Sequence, residues 1–363
     1  MLKKTILGIS LLMGYVMSFA QDSTKAAATS PTPTITGSVD AYYRFNFNAP
    51  AGATNNLTSF TNSNSSFELG MASVRADHSF GKASATIDLG FGRRAEEFAY
   101  GNPDHSTLFA IKQAYVSYAV SDKFKLTIGK WATHVGYELV DAYLNRNYSM
   151  DYMFSYGPFS HTGLKADISL GGKSALMLGV ANPTDMVSTT SGVKYLIGQF
   201  STGSSNDKVK AYLNYQGAFR GMDGNVNQLD LVVTGTITDK FSIGYNGTTY
   251  MYKPKDGDSK SWWGSALYLN VDPTSVFGMT LRGEYFSDKK GIIGTTDTQG
   301  TFIPTFANGG VFDATLTFLC KVGNLTIMPE LRLDNASKEL FLDKDGNGTK
   351  STFSAILAAT YHF

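Results

Sequence analysis

The stretch that ends the sequence reads FSAILAATYHF over residues 353–363. Its apolar and aromatic residues fall at every second position, from Phe353 through Leu357 and Tyr361 to Phe363. Successive side chains of a β-strand point to opposite faces, so this alternation predicts a strand with one apolar face and one polar face. Such a strand separates an apolar environment from a polar one.

The same alternation recurs along the chain from residue 35 onward. Near its start, Val39, Tyr43 and Phe45 share one face, while Asp40 and Arg44 share the other. Sixteen candidate strands follow from this pattern, and they cover residues 35–47, 66–80, 82–92, 107–120, 123–132, 159–170, 174–182, 193–201, 207–219, 226–238, 241–252, 259–272, 276–287, 309–321, 325–335 and 351–363.

Three positions disturb this count. Pro329 lies inside a candidate strand, where it removes a hydrogen-bond donor from the ladder. Lys112 and Lys194 lie in segments whose side chains do not divide cleanly into two faces. Fourteen and eighteen strands therefore stay open as alternatives.

The connections between the strands alternate in length. Tight turns such as Ser121-Asp122 and Asp239-Lys240 alternate with long segments such as 133–158 and 288–308. Short turns on one rim and long loops on the other are typical of outer-membrane barrels. The pattern predicts an all-β fold: a single antiparallel, up-and-down transmembrane β-barrel of about 16 strands, with short periplasmic turns and long outer loops.

Composition agrees with a chain that meets both lipid and water. Aromatic residues make up 13% of it and charged residues 17%, and no later segment is apolar enough for a helical span. Cys320 is the only cysteine, which excludes an intrachain disulfide. The nearly balanced charge gives no support for nucleic-acid binding.

The first twenty residues have the features of a secretory leader. Lys3 and Lys4 precede an uncharged apolar stretch, and small residues at Ser18 and Ala20 predict cleavage between Ala20 and Gln21. The expected organisation is a signal peptide (1–20), a flexible lead-in (21–34) and a barrel (35–363). Without the two leader lysines, the net charge of +1 becomes −1.

No motif predicts catalysis or a cofactor. The sequence has no G-x-S-x-G elbow, no H-E-x-x-H helix and no paired C-x-x-C, so we expect no enzymatic activity and no cofactor. Asp343, Asp345 and Asn347 match the opening of a calcium-binding loop, but Ser354 replaces the final glutamate. A polar hairpin loop is the favoured interpretation, with calcium binding as an alternative.

Several short elements over residues 129–163 occur in a recognisable order. They are Gly129-Lys130-Trp131, Gly136-Tyr137-Glu138, Asn145-Arg146-Asn147-Tyr148-Ser149, Gly157-Pro158-Phe159 and His161-Thr162-Gly163. This stretch resembles the OmpL-like outer-membrane β-barrel porins (β-barrel porin family 2). The resemblance implies an outer-membrane barrel and a solute channel, without a known substrate.

Segment 133–158 is the longest loop and the third on the long-loop side. In general porins this loop folds inward and narrows the channel, so we predict a constriction here. Its charged residues are Glu138, Asp141, Arg146 and Asp151. The polar faces of the strands offer an opposing basic wall, formed by Arg44, Arg75, Lys125, Lys165, Lys210, Arg282 and Arg332. An acidic loop against a basic wall would produce a transverse field in a narrow passage; alternatively, these charges pair with one another or face solvent.

The function expected from the sequence is passive diffusion of small hydrophilic solutes through a water-filled barrel in the outer membrane. One alternative is a substrate-selective channel for sugars or anionic solutes, and another is a non-transporting adhesin or enzyme. Expected partners are outer-membrane lipid, the solutes, and a possible second copy of the chain. The terminal Phe363 resembles the recognition signal of the outer-membrane assembly machinery.

Overall fold

A computed structural model describes residues 31–99, 110–218, 224–296, 298 and 301–363, and shows a closed 16-stranded barrel. Each strand pairs antiparallel with its neighbours, and the last pairs with the first. The barrel strands are β1 (Thr34–Asn46), β2 (Ser66–Phe80), β3 (Ala83–Phe91), β4 (Ile111–Ser121), β5 (Phe124–Ala132), β6 (Ser160–Gly171), β7 (Ser174–Ala181), β8 (Tyr195–Gly203), β9 (Val209–Ala218), β10 (Gly224–Thr238), β11 (Phe241–Pro254), β12 (Lys260–Val271), β13 (Phe277–Ser287), β16 (Gly310–Val322), β17 (Leu325–Ala336) and β20 (Ser351–His362).

Short elements lie in the connections on the outer side. Two small hairpins are formed by β14 (Gly294–Thr296) with β15 (Phe302–Pro304) and by β18 (Phe341–Leu342) with β19 (Gly348–Thr349). The described helical elements are α1 (Arg93–Phe98), α2 (Tyr152–Ser155) and a 3-10 turn (Ala142–Leu144). None of the described helices is long and apolar enough to span a membrane.

The predicted fold class is confirmed, including the count of sixteen strands. Pro329 does lie within β17, and the ladder to β16 lacks rungs between the pairs Thr317–Glu330 and Cys320–Ile327 while the register is kept. Because proline has no N–H group, it cannot donate a ladder hydrogen bond, and the pairing is interrupted only around this residue. The predicted strand 193–201 begins later, at Tyr195, which places Lys194 in the preceding loop.

The barrel reverses the usual distribution of apolar and charged side chains. Outward residues such as Ile128 (61% exposed) and Leu357 (56% exposed) are apolar and accessible, whereas Arg282 and Asp313 are fully buried inside. An apolar outer face is favourable in contact with lipid, and a closed barrel leaves no unpaired sheet edge. The predicted leader (1–20) and lead-in (21–34) lie almost wholly outside the described residues.

Tight turns join the strands at the end where β1 begins and β20 ends. Gly81, Gly172 and Gly323 occupy these turns with φ of 58°, 58° and 59°. This left-handed conformation suits two-residue hairpins and is adopted by glycine without steric cost. The periplasmic rim is therefore compact, and the longer connections gather at the outer rim.

Residues 133–158, hereafter the inner loop, enter the barrel from the outer ends of β5 and β6. The apolar core of the protein forms inside the barrel around this segment. Phe154 and Met150 of the inner loop pack with Phe60, Phe98 and Phe159 from the neighbouring segments. On the opposite wall, Tyr152 and Met153 pack against a cluster that includes Trp262, Phe286 and Phe306.

Candidate functional site: the barrel interior

Carboxylates of the wall hold the backbone of the inner loop. Glu330 accepts hydrogen bonds from the backbone N–H groups of Tyr148 (2.7 Å) and Ser149 (3.1 Å). Glu284 does the same for Tyr152 (2.8 Å) and Met153 (3.0 Å). Each of these two glutamates binds two consecutive backbone N–H groups, and together they fix the middle of the loop.

Both ends of the inner loop are held by similar means. At its start, the backbone N–H of Gly136 donates to Asp230 of β10 at 3.0 Å. Just past its end, the N–H groups of Phe159 and Ser160 both donate to Asp185 at 2.7 Å. Burial raises the pKa of Asp185, in the connection between β7 and β8, to about 7, against the lowering effect of these two N–H groups.

Glu138 of the inner loop is in direct contact with the wall. Its carboxylate lies 2.6 Å from the guanidinium of Arg282, and both side chains are buried. Arg282 also pairs with Asp313 at 3.1 Å and donates to the carbonyl of Ser149. The loop and the wall therefore belong to one ion-pair network here. No open space separates the acidic loop residue Glu138 from the basic wall residue Arg282.

The other three predicted loop residues also have partners. Asp151 accepts a hydrogen bond from the hydroxyl of Tyr268 at 2.7 Å. Asp141 pairs with Lys112 at 2.6 Å, and Arg146 pairs with Asp272 at 2.9 Å. The role of these four residues in limiting solute passage stays a prediction, but their charges are engaged by the surrounding chain.

Three of the seven predicted wall residues are buried, and two of them face the inner loop. Arg332 donates to the carbonyl of Met150 at 2.7 Å, and pairs with Asp313 and Asp334. Together with Arg282 it belongs to the loop-facing wall, which we define as the inward side chains of β13, β16 and β17. Its buried charged members are Arg282, Glu284, Asp313, Glu330, Arg332 and Asp334.

Arg44, the third buried arginine, holds a different outer segment. Its guanidinium donates to the carbonyl groups of Thr54 (2.6 Å), Ser63 (2.7 Å) and Asn55 (3.2 Å). These bonds fix the connection between β1 and β2 above the inner loop, where Phe60 reaches the apolar cluster. Arg44 therefore stabilises the folded connection between β1 and β2 in the mouth of the barrel.

The remaining four predicted wall residues keep contact with solvent. Lys125 and Lys165 flank Asp167 at 3.5 and 3.6 Å, with side-chain exposures of 39% and 21%. Lys210 is also partly exposed, and Arg75 pairs with Asp77 at 2.6 Å. We refer to the inward side chains Lys125, Lys165 and Lys210 of β5, β6 and β9, with Asp167, as the lysine-bearing wall.

Sequence reasoning missed two buried cations that contact the inner loop. Lys112, whose orientation was uncertain, is 2% exposed and bridges Asp141 and Asp88. Arg94 of α1 is fully buried, with its guanidinium over the rings of Phe60 and Tyr148. The acidic members of the loop-facing wall were missed as well, although Glu284 follows Arg282 by two residues and so shares its face.

The calcium candidate lies in the turn between β18 and β19. Asp343 accepts hydrogen bonds from the N–H groups of Asp345 and Asn347, each at 2.9 Å, and these bonds lower its pKa. Within the described part of the chain, no cluster of three or more metal-ligating side chains occurs. The geometry is that of a side chain that stabilises a polar turn.

A closed 16-stranded barrel with an apolar exterior, a charged interior and a loop folded inward defines an outer-membrane protein of the porin class. The model of the family described as "Putative beta-barrel porin-2, OmpL-like" matches residues 33–363. The chain belongs to this family, and it is an outer-membrane porin.

Several solved structures share this fold at low sequence identity. An anion-selective porin from Comamonas acidovorans superimposes with a TM-score of 0.59 at 11% identity, over 92% of this chain and 99% of that one. OmpT of Vibrio cholerae gives 0.57 at 10% identity (93% and 99%), and the channel DcaP of Acinetobacter baumannii gives 0.57 at 12% (94% and 100%). No curated protein matches the sequence.

Proposed function

We propose that this porin lets small hydrophilic solutes diffuse passively through a water-filled passage whose width is set by the inner loop. The observation that carries the proposal is the attachment of that loop. Glu284, Glu330 and Asp230 bind its backbone, while Arg282 and Arg332 bind its carbonyl groups. A segment held at so many points acts as a fixed constriction.

We further propose that the passage runs along the lysine-bearing wall and prefers anions mildly. Lys125 and Lys165 share the single carboxylate of Asp167, so this side of the barrel carries excess positive charge in contact with solvent. Fixed charges that line a narrow passage select ions of opposite sign. The anion selectivity stated for the Comamonas porin agrees with this proposal, although at 11% identity it shows only the shared fold.

Single-channel recording from the purified protein in a planar lipid bilayer tests the proposal. We expect steady conductance steps that do not depend on a ligand. Folding is checked in parallel, since a folded barrel migrates differently on a gel before and after heating. A folded barrel without conductance steps would contradict the porin mechanism and favour an adhesive or enzymatic role.

We propose that the leader is removed by cleavage between Ala20 and Gln21 during export to the periplasm. The mass of the mature protein tests this cleavage. Phe363 is 60% exposed, and its backbone pairs with Gly37 of β1, which leaves the terminal ring accessible for the assembly machinery. We infer a non-catalytic role and an assembly of several copies of this chain, and the mass of the purified protein in detergent tests the assembly.

A further inference from the structure

Four inward side chains form one row across the outer part of four neighbouring strands. Gln216 of β9 lies directly opposite Gln228 of β10, and Gln228 lies opposite Tyr250 of β11. Tyr250 in turn lies opposite Trp262 of β12. The antiparallel register thus places two amides and two aromatic rings side by side at one level of the barrel wall.

This row lines a cavity of about 300 Å³ near the outer rim. The other sides of the cavity come from the end of the inner loop, from two outer connections and from the first residue of β8. They are contributed by Tyr156, Pro158, Thr184, Tyr195, Ile292 and Ile293. A size of a few hundred Å³ and a lining that combines aromatic and aliphatic side chains with a few polar groups are typical of small-molecule sites.

The aromatic side of the row has a regular geometry. The rings of Tyr250 and Trp262 are parallel within 2°, with centroids 5.5 Å apart. Trp262 is packed from behind by Phe286, at 5.2 Å between ring centroids. The two rings are therefore held in place by their neighbours, and both belong to the lining of the cavity.

The amide side of the row is fixed by a chain of hydrogen bonds. Thr184 donates to Gln216, Gln216 donates to Gln228 at 2.7 Å, and Gln228 donates to Thr248. Each amide nitrogen has two hydrogens, and within the described part of the chain these bonds use one of the two on each glutamine. Both amides can still donate to a ligand, and the side chains that line the cavity are uncharged.

We propose that this cavity is a binding site for neutral sugars of one or two rings on their way into the barrel. A sugar ring has C–H faces, which pack on aromatic rings, and a rim of hydroxyl groups, which amides bind as donors and acceptors. An uncharged lining favours a neutral solute over an ionic one, because a charged ligand would lose hydration without gaining a partner. The inference rests on the proposed solute channel and names a solute class for it.

The test is sugar block of the ion current through the reconstituted protein. D-glucose and maltose are added to the side of the long loops, with sorbitol as an acyclic control that has no ring face. We expect a saturable decrease in current with the cyclic sugars and none with sorbitol. Trp262→Leu and Gln228→Leu should each raise the half-blocking concentration at least tenfold.

The sequence supplies a matched control one residue away. Trp263 is 46% exposed on the lipid side of β12, so Trp263→Leu should leave the half-blocking concentration unchanged. If Trp262→Leu fails to fold, Tyr250→Leu tests the same aromatic surface. Conductance without sugar block, or equal effects of Trp262→Leu and Trp263→Leu, would overturn the sugar site while the porin mechanism stands.

Absence of any conductance would contradict the proposed function, and binding must then be measured directly. The chain has three tryptophans, so a Trp131→Phe, Trp263→Phe protein reports on Trp262 alone. A saturable change in its fluorescence with maltose, and none with sorbitol, would support the sugar site without a channel. An unchanged signal would overturn the site.

Discussion

The loop-facing wall and the lysine-bearing wall are built from the same strand pattern, but they differ in what covers them. In both, charged residues alternate with lipid-facing apolar residues along the strands. Arg282 and Asp313 of the loop-facing wall have no solvent exposure, whereas Lys125 and Asp167 of the lysine-bearing wall retain 39% and 27%. The alternation thus determines which side chains face inward, and the inner loop determines which of them meet water.

This difference has a thermodynamic consequence. Replacing a whole buried ion-pair network by apolar residues often costs little stability. Removing only one partner is strongly destabilising, because it leaves a buried charge uncompensated. An exposed pair is screened by water and contributes about 0–1 kcal/mol. Matched substitutions on the two walls should therefore have very different effects on stability.

Arg282→Met should be the most damaging of these substitutions. It removes the cation that contacts Glu138 at 2.6 Å and Asp313 at 3.1 Å. The buried Glu138 loses this ion pair, whereas Asp313 keeps its pair with Arg332. The expected loss is about 3–5 kcal/mol in the free energy of unfolding. Denaturant-induced unfolding of the protein in lipid vesicles measures it, and a loss below about 1 kcal/mol would show that the network is hydrated.

Glu330→Gln should have an intermediate effect. The side chain keeps its size, but the charge that binds the N–H groups of Tyr148 and Ser149 is removed. Hydrogen bonds to charged groups contribute about 1.5–3 kcal/mol, so we expect a loss of that order. The inner loop should also become more sensitive to added protease.

Asp167→Asn is the matched control for Glu330→Gln. It neutralises a carboxylate that is partly exposed and lies 3.5 Å or more from its lysine partners. Stability and protease sensitivity should stay close to those of the unsubstituted protein. Equal effects of the two variants would remove the distinction between the walls.

Lys125→Met should have the smallest effect on stability. Its ammonium group is 39% exposed and pairs with Asp167 through screened contacts, so we expect a change below about 1 kcal/mol. The same unfolding measurement applies. A loss as large as that of Arg282→Met would indicate that Lys125 supports a buried contact in solution.

The fold could be predicted almost completely because strand alternation and loop lengths are local properties of the sequence. The segment 66–80 was predicted with the bounds of β2, and most other strands differ by one or two residues. The predicted strand 107–120 includes Ala110, whereas β4 begins at Ile111. Residues 107–109 lie outside the described part of the chain.

The interior could be predicted only in part. Alternation places Arg282 and Lys125 on the same kind of face, but it gives no information on which strands the inner loop crosses. That choice depends on contacts between residues far apart in sequence, such as Tyr148 with Glu330 and Gly136 with Asp230. The sequence reasoning also considered only basic wall residues, and so the carboxylates that bind the loop were missed.

The central claim is that solutes and ions pass along the lysine-bearing wall, while the charges between the inner loop and its wall are paired and shielded. The reversal potential of the reconstituted channel in a KCl gradient tests it most directly. We predict a mild preference for chloride that is lost when Lys125, Lys165 and Lys210 are replaced by methionine and is kept in Glu138→Gln. A cation preference, or a shift in Glu138→Gln as large as that of the triple variant, would contradict the account.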